Sequence, residues 1–115
     1  MDKLEFSTNW NNKLECKCFT TIRLYNPTKH FQGNKFNVFL QKKYKSKVEI
    51  IALSLIKLNQ LSDYICFLDT GYSKEETKEI LLKMYPRIDF KIQYLTVILL
   101  KKIDSPQPKQ ETLFT

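Results

Sequence analysis

The apolar positions of this chain change period as it proceeds, from two to about 3.6 and back to two. Leu4 and Phe6 alternate with polar neighbours and predict a short strand, followed by a turn at 9–12. Residues 14–24 are rich in Thr, Phe and Ile and predict a strand. Asn26-Pro27 and Gly33-Asn34 bracket a polar loop holding Lys29, His30 and Gln32. Phe36, Val38 and Leu40 then alternate along a strand at 35–41, and the lysine-rich stretch 42–47 predicts a basic turn around Tyr44. Residues 48–56 form a long apolar run suited to a strand covered on both faces.

The helical period follows. Leu61, Ile65 and Leu68 are spaced for a short helix. Ser73 and Glu76 form a capping box, and Glu75 and Glu76 sit where the helix dipole favours carboxylates. Ile80, Leu81, Met84 and Tyr85 make one apolar stripe over a helix at 74–85, which Pro86 stops. Phe90, Ile92, Tyr94 and Ile98 predict a final strand over 90–100. Strands, two helices and a strand, without β-α-β repetition, argue against a doubly wound sheet. The expected class is α+β: a small, mixed, mostly antiparallel and partly closed β-barrel with two helices. Residues 1–103 form the domain. Residues 104–115, with Ser105-Pro106-Gln107-Pro108-Lys109, read as a flexible C-terminal tail.

With 115 residues the chain makes one domain with a single core. Nineteen Lys and Arg against twelve Asp and Glu give a net charge of +7, which points to a polyanionic partner, most simply nucleic acid. Cys16, Cys18 and Cys66 lack the spacing of a zinc site, and His30 is the sole histidine, so no metal or cofactor is expected. The cysteines read as reduced and mostly buried. No apolar run approaches a membrane span, and the expected location is intracellular, in the cytoplasm.

The chemistry concentrates in Lys17-Cys18-Phe19-Thr20-Thr21-Ile22-Arg23. In a strand Phe19, Thr21 and Arg23 share one face, and Cys18, Thr20 and Ile22 share the other. An arginine and a threonine on a rigid strand grip a phosphate or a base edge; a solvated polar face is the bland alternative. These residues, the strands at 34–40 and 47–56, Asp69-Thr70-Gly71-Tyr72 and the following helix together resemble the ASCH domain. ASCH domains are small relatives of the PUA RNA-binding barrel, and their opening motif reads K-T-x-T-x-R.

The resemblance implies a PUA-like barrel that contacts RNA or a nucleoside through a cleft beside this motif. Some relatives hydrolyse the acetyl amide of acetylcytidine with a lysine, a threonine and a glutamate, and others look like ribonucleases. Carried over, the catalytic set would be Lys17, Thr21 (or Thr20) and Asp69. Thr21-Ile22-Arg23 aligned on T-x-R puts Cys18 in the lysine slot, so Lys17 reaches the cleft only through a bulge. Asp69 is one methylene shorter than the family's glutamate. Both departures favour binding over catalysis.

The binding set is therefore Lys17, Thr20, Thr21, Arg23 and Asp69, with Asn26 and Lys29 on the rim. Tyr72 either stacks on a base or serves as a hydrophobic staple before the Ser73 cap, and Gly71 supplies a turn. Lys42, Lys43, Lys45 and Lys47 form either a phosphate-tracking surface or a solvated tip. Gln110, Leu113 and Phe114 resemble the Q-x-x-L-F peptide with which bacterial replication and repair proteins grip the sliding clamp. The leading function is an RNA- or nucleoside-binding module. Amide hydrolysis of an acylated pyrimidine nucleoside and recruitment to a clamp are the alternatives.

Overall fold

The computed structural model describes residues 1–103; the proposed clamp peptide, with Gln110, Leu113 and Phe114, lies outside them. The fold is α+β, with one curled, mixed five-stranded sheet forming a half-barrel. Its strands are β1 (Asp2–Phe6), β2 (Cys18–Leu24), β3 (Lys35–Leu40), β4 (Lys43–Ile56) and β5 (Leu95–Lys102), in the order β1-β3-β4-β5-β2. Among the described residues only β1 and β3 pair in parallel; the other ladders are antiparallel. Register shifts interrupt the ladders between Val38 and Phe39 and between Ile50 and Ala52. Such bulges bend the long β4 and curl the sheet.

Alternation along the strands builds two cores. Leu4, Phe6, Phe19, Phe36, Val38, Val48, Ile50, Ile98 and Leu100 fill the concave side. Ile22 and Leu95, on the other side, pack against Leu61, Cys66 and Leu81 of the helical segment. β2 thus serves both cores, Phe19 inward and Ile22 outward, as a period of two requires. Helix α1 (Asp63–Asp69) starts at Ser62, whose hydroxyl accepts the Ile65 N–H at 3.2 Å. Helix α2 (Lys74–Met84) starts at the Ser73/Glu76 capping box, formed in both directions.

Five expectations need correction. The run 48–56 is a strand but is not covered on both faces, since Ala52, Ser54 and Leu55 are exposed. The segment 14–17 is not strand: 3₁₀ turns occupy Trp10–Glu15, with Asn11 and Asn12 left-handed at φ 58° and 54°. The basic turn shrinks to Gln41-Lys42, both left-handed, and the rest of the lysine run extends β4. Residues 90–94 form no strand, because Asp89 turns the chain by accepting the Lys91 N–H on its side chain and the Gln93 N–H on its carbonyl. Of the cysteines only Cys66 is buried; Cys16 and Cys18 are exposed, and all three are free thiols.

Candidate functional site

The sheet does not close between its edge strands β1 and β2. Side chains bridge the seam instead. Arg23 on β2 donates from Nη2 to the Glu5 carbonyl of β1 at 3.0 Å, and from Nε to Thr21 Oγ1 at 3.0 Å. Its guanidinium lies 4.6 Å from the centroid of the Phe6 ring, and Phe6 meets Phe19 edge to face at 6.2 Å. Phe19, Thr21 and Arg23 share this face because β2 pairs with β5 in unbroken register from Cys18 to Leu24.

The acid comes from the end of α1. Asp69 is only 2% exposed, and its Oδ1 accepts from Lys13 Nζ at 3.0 Å and from Thr20 Oγ1 at 2.8 Å. Lys13 is itself 5% exposed, and its ammonium stands 5.5 Å from the Phe6 ring centroid. Two cations therefore flank one aromatic ring. Asn11 fixes the lysine's segment against α1: its Nδ2 donates to the carbonyls of Phe67 at 2.8 Å and Leu68 at 3.3 Å. Gly71 follows at φ 83°, where a Cβ would come within 2.8 Å of Asn11 Oδ1. Here glycine is required twice, by conformation and by space.

These groups line one cleft at the seam, with Glu5, Phe6, Trp10, Lys13, Thr21, Arg23 and Asp69 on one side and Thr77, Leu81, Met84 and Tyr85 of α2 and its end on the other. The cleft encloses about 80 Å³, room for roughly three waters. Its electrostatics follow from burial. Desolvation pushes the Lys13 ammonium below its ordinary pKa; Arg23 pushes the same way, and Asp69 opposes both. Desolvation also lowers Arg23, against the pull of Tyr85, Asp69 and Glu5.

The proposed site residues separate into three groups. Thr21, Arg23 and Asp69 line the cleft at the seam, and Thr20, on the opposite face of β2, joins them only through its hydrogen bond to Asp69. Lys17 does not: it is exposed, β2 has no bulge to turn it inward, and its backbone carbonyl accepts the Lys102 N–H. Lys13 takes the place beside the acid. Asn26 and Lys29 line a neighbouring groove instead of the cleft. Tyr72 is 41% exposed; its N–H donates to Thr70 Oγ1, and it borders none of the three grooves described among residues 1–103.

Sequence reasoning missed Lys13, Phe6, Trp10 and Tyr85 as site residues. Phe6 and Tyr85 carry an apolar signal that reads as core. Lys13 carries none, because the left-handed Asn11-Asn12 pair that turns it inward is visible only as two adjacent asparagines, a residue type that tolerates this conformation. Among the described residues no three His, Cys, Asp or Glu side chains group to hold a metal ion, and no helix is long and apolar enough to cross a membrane. No protein-family model, curated protein or solved structure matches the chain.

Proposed function

We propose that the seam cleft binds a nucleobase and that the chain is an RNA- or nucleoside-binding module of the ASCH type. The observation that carries this reading is the pair of cations, Lys13 and Arg23, flanking Phe6 in a cleft that a buried carboxylate also lines. A guanidinium has five N–H donors, and Arg23 uses two of them on Thr21 and Glu5, which leaves three for a ligand. Thr21 Oγ1 accepts from Arg23 and keeps its own O–H to donate. The aromatic and apolar wall of Phe6, Trp10 and Tyr85 suits a flat heterocycle. The net charge of +7 supports a polyanionic partner.

Filter binding of labelled single-stranded RNA across a salt series tests the reading. Affinity is expected to fall as salt rises, and Arg23→Ala is expected to weaken it by about tenfold or more. Absent or salt-independent binding contradicts the reading.

A second reading is favoured by one feature: a lysine with a pKa depressed by burial lines the same cleft as a threonine hydroxyl. A neutral Lys13 would accept the Thr21 proton as the hydroxyl adds to the amide carbon and return it to the cytidine amine as the C–N bond breaks; water would then hydrolyse the acetyl ester left on Thr21, with Asp69 holding the lysine in place. Release of cytidine from acetylcytidine by the native chain, and none by Thr21→Val, would establish that activity. Clean nucleoside binding without release leaves the binding module.

A further inference from the structure

A second groove opens from the wall of the cleft. Arg23 and Tyr85 line both. Beyond Arg23 the groove runs over Lys3, Tyr25, Asn26, Lys29 and His30, with a volume of about 430 Å³. Its charge differs from that of the cleft. The cleft holds two carboxylate side chains, Glu5 and Asp69; none lines the groove, which carries three cationic side chains, Lys3, Arg23 and Lys29.

The loop forming the groove's far wall is tied down by its own hydrogen bonds. The Asn26 carbonyl accepts the N–H groups of Lys29 and His30, and Asn26 Oδ1 accepts the Thr28 N–H at 3.0 Å and its hydroxyl at 2.7 Å. The Asn26 N–H donates to His30 Nδ1 at 3.0 Å. An acceptor at Nδ1 fixes the neutral tautomer with its proton on Nε2, a donor held on a buried ring beside the cations. Burial, then Arg23 and Lys29, lower the His30 pKa, as a site of positive potential requires.

We propose that this groove is a phosphate subsite, so that the cleft takes its base from a nucleotide or a strand and not from a free nucleoside. The proposal rests on the nucleobase reading of the cleft, with Arg23 as the group common to base and phosphate. A nucleoside fills the cleft alone, whereas a nucleotide adds charge-assisted hydrogen bonds from Lys29 and the His30 N–H. The advantage of the phosphate is expected to be about 10- to 100-fold in Kd.

The test uses two reporters that the chain already contains, its single tryptophan, Trp10, in the cleft and its single histidine, His30, in the groove. The four ribonucleosides and their monophosphates are titrated against the full chain. Trp10 fluorescence and the His30 imidazole proton resonances are followed. Nucleosides are expected to move Trp10 alone. Monophosphates are expected to move both, bind more tightly and raise the pKa of His30. Lys29→Glu should abolish the phosphate advantage while leaving nucleoside affinity unchanged, and Lys29→Arg should keep it. A trinucleotide that binds tighter than the monophosphate assigns the phosphate to a strand; equal binding assigns it to a mononucleotide. Equal affinity for nucleoside and nucleotide with an unmoved His30 overturns the groove and leaves the cleft reading intact. Silence from both reporters overturns the two together.

Discussion

Lys13 and Asp69 bind each other almost out of contact with water, and such a pair is costly to break and cheap to replace. Removing one partner strands the other charge in a desolvated place. Lys13→Met and Asp69→Leu are each expected to lose about 3–5 kcal/mol in chemical denaturation, while the double variant returns close to wild type. Losses that simply add would show that the two groups do not act on each other. The acid of this pair was legible in the sequence, because Asp69 stands at a turn between two helical patterns. The lysine was not. Lys17 has the spacing of a strand motif, but a strand without a bulge cannot turn it to the cleft, and Lys13 arrives through two left-handed asparagines that no periodicity encodes.

At the scale of elements the junction of α1, Asn11 and Gly71 holds lysine and acid in register. Gly71→Ala puts a β-carbon against Asn11 in a left-handed conformation and loosens the side chain that clamps the Phe67 and Leu68 carbonyls. Gly33 has a similar φ of 94° with nothing within 4 Å, so it isolates the conformational part. Gly33→Ala is expected to lose about 1 kcal/mol and Gly71→Ala distinctly more, read as denaturation midpoints. Equal losses would remove the clamp from the account. Elements with a local signal were legible: the capping box of α2, the alternation of β3, the apolar run of β4. The tight turn between β3 and β4 was hidden, since Gln41-Lys42 lacks the Asn or Gly that such turns usually show. Ile92 and Tyr94 alternate like a strand, yet Asp89 closes a turn beneath them, and a turn hydrogen bond overrides a weak period.

At the scale of the molecule the half-barrel was legible as a class, from the order of elements. Its seam was not: it depends on Arg23 reaching the Glu5 carbonyl across eighteen residues of sequence. The groove beside that seam also leaves a mark on stability. The folded chain holds the His30 pKa below the ordinary 6.5, so the unfolded chain takes up the proton first as the pH falls. Stability contributed by neutral His30 is therefore intact above about pH 6.5 and declines from there down to the lowered folded pKa. His30→Asn keeps an acceptor for the Asn26 N–H without a titrating ring. Its thermal midpoint should fall less steeply than that of the native chain between pH 7 and that lowered value, and parallel curves would contradict the assignment.

The central claim is that the seam cleft receives a flat base beside its two cations and the Phe6 ring they flank. Titrating ribonucleosides while recording the fluorescence of Trp10 tests it most directly, because the chain has one tryptophan and that residue lines the cleft. The account predicts a saturable change for at least one nucleoside, lost in Arg23→Ala and in Phe6→Leu. A flat response to every nucleoside, from a chain shown to be folded, would contradict it.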